Sequence, residues 1–273
     1  TVLCWLDAYG RTGKISEIDA ARKAEAFRAE TRKLRDLSFD TISGSGPNGA
    51  IVHYRVTHAT NRRLRPGDLY LIDSGGQYAD GTTDVTRTVL IEGRPPPRGA
   101  IDAFTRVLRG HIALAAARFP TGTNGMQLDT LARAPLWAAG QDFDHGTGHG
   151  VGSYLSVHEG PQRISKGGMV AMAPGMIVSN EPGYYAKGRF GIRIENLQYV
   201  REAKNAGDKH RDMLEFDALT LAPIDRRLID KSALTEDEKL WLNTYHAEVL
   251  GKVKPLVDTR TARWLEKACR PIR

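Results

Sequence analysis

The 273-residue chain has a net charge of +7, with 41% hydrophobic and 26% charged residues, the make-up of a globular protein able to bury a sizeable core. No apolar run is long enough to span a bilayer, and the basic residues of "RKAEAFRAETRKLR" and "NRRLR" alternate with acids or border turns. They read as solvated faces rather than a nucleic-acid patch.

Cys4 and Cys269 sit near opposite ends, which excludes a disulfide framework or zinc ribbon and favours a reducing, cytoplasmic compartment. The opening "TVLCWLDAYGRTGK" is broken by Asp7 and Gly10 and lacks a basic leader, so it does not read as a signal peptide. With no initiator Met, the chain reads as a fragment or a processed form.

Residues 16–35 begin with Ser16 and Asp19 in capping-box spacing and continue with strong helix formers, predicting a helix. A turn through Gly44, Gly46, Pro47, Asn48 and Gly49 is expected to lead into a strand from Ile51 to Val56. "RPGDLYLIDSG" reads as a turn and an apolar strand ending on Asp73, and "DGTTDVTRTVLI" as its partner. Helices follow at about 100–117 and 126–139, the second strained by Pro135.

Next comes "DHGTGHGVGSYLSVHEGP", with three of the eight histidines, at 145, 149 and 158. Two strand-like runs follow, "GGMVAMAPGMIVSNEPGYY" and "RFGIRIENLQYV", joined by "AKG". Thr235 and Glu238 form another capping box, ahead of helical stretches around 240–256 and 261–269. The order helix, hairpin, helices, hairpin predicts two similar halves and an α+β fold.

Four carboxylates lie inside these apolar runs: Asp73 and Asp84 on the arms of the first hairpin, Glu181 and Glu195 on those of the second. A carboxylate among buried strand residues is costly unless it is paired, hydrogen-bonded or metal-bound. Singly, each has a plain structural account: Asp73 as a turn residue before Ser74, Glu181 as a strand end before Pro182, Glu195 as a partner of Arg193. Four together beside a His-rich loop point to a shared cation.

Charge of about −4 with one imidazole suits two divalent ions, with Mn²⁺ (or Co²⁺ and Fe²⁺) favoured over a structural Zn²⁺ site. Two such ions about 3.5 Å apart would hold a bridging hydroxide, which is hydrolase chemistry. "GTGHGVG" lacks the dinucleotide spacing and the P-loop lysine, and its glycines oppose an HExxH helix. They are expected instead to let a ligand approach the backbone.

The set Asp73, Asp84, His149, Glu181 and Glu195 resembles the dinuclear site of the pita-bread metallopeptidases. The flanks "TISGSGPNGAIVHY", "LIDSGGQYADGTTDVTRT", "HGTGHGVGSYLSVHEGP", "SNEPGYY" and "GIRIENL" are most similar to the three-domain Xaa-Pro aminopeptidases of that group. The resemblance covers nearly the whole chain. It implies two pseudo-symmetric halves around a curved antiparallel sheet, with residues 1–232 as the catalytic domain and 233–273 as a helical extension packed on it.

The resemblance also implies that Asp73 binds one metal, His149 and Glu181 the other, and that Asp84 and Glu195 bridge them. His53 would contact substrate, while His145 and His158 would position the peptide and stabilise the tetrahedral intermediate. Glu181 would shuttle the proton, and Tyr185 and Arg193 would line the site. The implied activity is metal-dependent release of the N-terminal residue from Xaa-Pro peptides, with two divalent ions (Mn²⁺ first, Co²⁺ or Zn²⁺ compatible) and homodimerisation through the C-terminal helices.

The nine-residue spacing of His149 and His158 is two longer than the prolidase pattern, which favours the three-domain type. That type also carries creatinase-like domains ahead of the catalytic one. The rival readings are a prolidase-type dipeptidase and a non-catalytic pita-bread domain that binds peptides or proteins. No membrane or nucleic-acid partner is expected. His58, His111, His210 and His246 read as surface or structural residues.

Overall fold

Ser16 caps helix α2 (Glu17–Ala29) as its spacing predicts: its hydroxyl accepts from Asp19 N–H and the Asp19 carboxylate accepts from Ser16 N–H. The computed structural model describes residues 1–204 and 210–273. α1 (Val2–Tyr9) packs Leu6 beside Ala20 and Ala24 of α2, against Tyr70 and Ile72. α2 stops at Ala29, six residues before the expected end, and Arg32 turns the chain with a φ of 56°.

The strand expected at Ile51–Val56 lies elsewhere. Ile42–Ser45, buried at all four positions, is the strand, and residues 46–50 form a 3-10 turn. The reason is Glu17, a buried carboxylate that accepts from Ser45 N–H, Arg62 N–H, the Asn48 amide and the Tyr54 hydroxyl. Its four bonds gather residues 45–62 into a loop, and β-propensity yields to that polar hub.

The first ladder orders Ile42–Ser45, Leu69–Asp73 and Thr86–Leu90, all antiparallel, with Asp73 opposite Thr86. The second orders Ile177–Asn180, Asn196–Glu202, Met213–Ala218 and Arg118–Pro120, again antiparallel. Gly183–Ala186 and Phe190–Arg193 form a separate hairpin beyond it. The α+β expectation holds.

The two ladders are stitched together where Glu195 N–H donates to the Thr86 carbonyl and Arg193 N–H to Thr88 Oγ1. α3 (Ala100–Ala115) and α4 (Gly125–Trp137) pack beside this seam. Phe104, Val107 and Leu108 of α3 meet Phe190, Ile192 and Ile194, and so do Leu242, Tyr245 and Val249 of α5 (Glu236–Val253) and Leu265 of α6 (Thr259–Ala268). Thr235 and Glu238 form the expected capping box of α5. No helix among the described residues is long and apolar enough to cross a membrane.

Candidate metal centre

The acids reach the centre in two ways. Asp73 is the last residue of its strand, while Asp84 lies two residues before the partner strand, in the connection rather than on the ladder. Glu181 and Glu195 occupy the breaks between the second ladder and the outer hairpin, on either side of which pairing resumes. A broken ladder frees both carboxylates from strand pairing while the flanking strands hold their backbones.

Asp84, His149 and Glu195 each place one ligand atom within 4.8 Å of the others. His149 Nε2 lies 3.4 Å from Asp84 Oδ2 and 3.4 Å from Glu181 Oε1, while its Nδ1 faces the Gly150 carbonyl at 2.9 Å. That bond assigns the proton to Nδ1 and aims Nε2 at the acids, the usual arrangement of a ligating histidine. Asp73 stands beside the group, taking a 2.7 Å bond from Arg193 Nη2. Arg193 therefore pairs with Asp73 and not with Glu195, whose Oε2 instead accepts from Thr86 Oγ1 at 2.6 Å.

Burial pushes the Asp73 carboxyl up to about 7 against the pull of Arg193, and pushes Glu181 up to about 6 despite His149 and Arg193. Glu195 is raised well above the carboxylate range by burial and by Asp84, Glu181 and Asp73. Burial alone would depress His149, but Asp84 and Glu181 outweigh it and hold the imidazolium up to about 9. Protons thus stand in for missing positive charge. Asp73 Oδ1 and Asp84 Oδ1 are buried without a hydrogen-bond partner among the described residues. Orphaned carboxylate oxygens around one imidazole fit divalent cations.

The cluster forms the floor of a cavity of about 480 Å³ that also has His53, His145, His158, Arg163 and Arg193 in its wall. His53 and His158 are exposed at the rim, and the His158 ring meets that of His149 edge to face, 4.2 Å between centroids. His145 is held more firmly: Nδ1 faces the Gly146 carbonyl at 2.8 Å and Nε2 the Tyr185 hydroxyl at 2.9 Å. Burial, with Arg193, depresses it to about 3. Tyr185 Oη in turn accepts from Arg193 Nη1 at 2.7 Å.

Two glycines of the His-rich segment are required by the protein's own packing. A Cβ on Gly148 would lie 2.0 Å from the Ser179 carbonyl, and one on Gly150 2.0 Å from that of Glu159. These glycines admit the protein's own backbone. His111 and His246 are fully buried structural groups, bonded to Asn180 O and Ile224 N–H, and His58 and His210 are exposed.

Thr86, Ser179 and Arg133 were not singled out from the sequence. Ser179 Oγ donates to Glu181 Oε1 and accepts from His149 N–H. Thr86 and Ser179 each lie two residues from an acid, so strand alternation offered a signal. Arg133 offered none, since its partners are fixed only by the fold.

An oxygen-rich cluster with a single imidazole, set in antiparallel ladders below a cavity, marks a metallohydrolase-type centre. The chain belongs to metallopeptidase family M24: the model of that family matches residues 2–202, and the model of its C-terminal region matches residues 212–272. The probable Xaa-Pro aminopeptidase P of Laccaria bicolor is 51% identical over 277 residues, covering 98% of this chain and 42% of the relative.

The crystal structure of X-prolyl aminopeptidase from Caenorhabditis elegans, described as a cytosolic enzyme with a di-nuclear active site, matches with a TM-score of 0.93. Identity is 45%, over 99% of this chain and 45% of that one. A prolidase from Thermococcus sibiricus matches with a TM-score of 0.67 and 31% identity, over 84% of this chain and 57% of that one. The fold is therefore the pita-bread fold of the family. The chain spans about two fifths of the length of the curated relatives it matches.

Proposed function

We propose that this chain is the catalytic part of an aminopeptidase that releases the N-terminal residue from peptides with proline in second position. The observation that carries this reading is the Asp84–His149–Glu195 cluster, flanked by Asp73 and Glu181, on the floor of a histidine-lined cavity. Asp73 would hold one divalent ion and His149 with Glu181 the other, Asp84 and Glu195 lying between. When bound, such ions supply Lewis acidity toward the scissile carbonyl and lower the pKa of a hydrolytic water.

The protein's own groups do the rest. Glu181, oriented by Ser179, takes a proton from the attacking water as the water oxygen bonds to the scissile carbonyl carbon, and returns it to the proline nitrogen as the C–N bond breaks. His158 and His53 face the cavity and donate to the developing oxyanion and the peptide. His145, fixed by Gly146 and Tyr185, positions the substrate, with Arg193 and Tyr185 behind it. An Xaa-Pro bond has no amide N–H, so a site built on carbonyl and amine recognition suits it.

The oxygen-rich donor set favours Mn²⁺, with Co²⁺ or Zn²⁺ also compatible. Two buried free cysteines accord with a cytoplasmic setting. Residues 1–232 act as the catalytic domain and 233–273 as its helical extension, and the protein works as a homodimer.

Hydrolysis assays test the reading, using Mn²⁺-loaded protein that carries the whole length of its gene product. Arg-Pro-Pro is cleaved to free Arg while Gly-Pro survives. Cleavage of Gly-Pro alone would make it a prolidase, and no hydrolysis of either would overturn the proposal.

A further inference from the structure

We propose that Arg133 of α4, with Asp129, is a positioning residue that sets the His145 side chain in the cavity wall. The inference rests on the reading of His145 as a substrate-facing group. Arg133 is only 1% exposed and does not line the cavity. Its side chain instead organises the segment that brings His145 there.

Four N–H···O contacts account for this. Nε donates to Asp129 Oδ2 at 2.8 Å, a partner one helical turn earlier. Nη1 donates to Asp142 Oδ1 at 2.9 Å and to the Phe143 carbonyl at 2.6 Å, and Nη2 to the His145 carbonyl at 2.7 Å. The guanidinium also lies 4.0 Å from the Phe143 ring centre, and that ring in turn rests 4.8 Å from the His145 ring. Cation, phenyl and imidazole thus lie in series, the two rings tilted 40° to each other.

The far side of His145 is fixed by the same pair. Asp129 Oδ1 accepts from Thr147 Oγ1 at 2.5 Å, and the Thr147 carbonyl accepts from Glu181 N–H at 2.8 Å. The backbone is therefore held at 143, 145 and 147. With it held, His145 Nδ1 and Nε2 meet Gly146 O and Tyr185 Oη. A buried ion pair often adds little net stability. A planar fork that matches four acceptors and lies over a ring is specific to arginine.

The substitution Arg133→Lys keeps the charge but not the fork. The first readout needs no activity: side-chain ¹⁵N and ¹H signals of histidine-labelled protein, with His145 assigned by a His145→Gln control. In Arg133→Lys the His145 ring signals shift and broaden while those of buried His111 and His246 stay in place. Equal movement of all three would mean a general structural defect and would overturn the proposal, as would an unmoved His145.

The second readout is kinetic, on metal-loaded protein with Arg-Pro-Pro. Arg133→Lys lowers kcat at least tenfold with KM changed less than threefold and metal content unchanged. In a His145→Ala background the same substitution costs less than threefold. A full loss in that background would show that Arg133 does not act through His145. If the wild type cleaves no Xaa-Pro peptide, the proposed function falls, and the ring signals still decide the role of Arg133.

Discussion

The floor and the rim of the cavity are built on different terms. On the floor, Asp73, Asp84 and Glu195 are buried and belong to or adjoin paired strands, with register fixed by flanking ladders. At the rim, His53 and His158 are exposed and come from loops. Buried carboxylates without enough positive charge are a standing cost, which a bound cation removes. Exposed histidines carry no such cost and can be tuned to a substrate. The floor should therefore govern metal content, and the rim should govern turnover.

Asp84→Asn breaks the comparison hardest. It removes a charge from the centre of the three-residue group, so metal affinity falls by more than the ~10–100-fold typical of outer-shell partners. Hydrolysis drops to background, and the Tm of the metal-free protein does not fall. Metal analysis after gel filtration checks it. Wild-type stoichiometry in the variant would sink the floor reading.

His158→Ala sharpens the other side. Its side chain is exposed and bonded to no acid among the described residues, so metal content stays at the wild-type level. Losing a donor to developing charge costs kcat roughly 10²–10³-fold. Parallel loss of metal from this variant would erase the distinction between floor and rim.

This difference also decides what the sequence could disclose. Carboxylates in "LYLIDSG" and "GIRIENL" are conspicuous because burial makes an acid anomalous, so the floor was legible from residue chemistry alone. The exposed histidines are unremarkable by that standard, and the roles proposed for them rest only on family resemblance. Ile51–Val56 was misread because Glu17, thirty-four residues upstream, ties the loop by four side-chain bonds. Local propensity cannot foresee a distant polar hub. Arg133 was missed for the same reason: half its acceptors are backbone carbonyls brought to it by the turn after α4.

The smallest effect to be measured is a pH slope, and it separates floor from rim without any substrate. His149 is raised to about 9 in the folded protein, so its contribution to metal-free stability is complete below pH 6.5 and is lost as pH rises toward 9. Asp73, raised to about 7, resists ionisation on folding and works in the same direction from about pH 4 to 7. His111, His145 and His246 are depressed to about 3 and act oppositely, but only below pH 6.5.

Above pH 6.5 the floor therefore dominates. Metal-free protein should lose on the order of 2 kcal/mol between pH 6.5 and 9, or about 4–8 °C in Tm. Metal binding is favoured by deprotonated ligands, so Mn²⁺-loaded protein should gain over the same range. Thermal melts in chelator and in Mn²⁺ at pH 6.5, 7.5 and 9 decide it, with His149→Gln as the control whose metal-free slope flattens. His158→Ala keeps the wild-type slope. A metal-free Tm that holds or climbs toward pH 9 would mean that the floor acids do not hold His149 protonated.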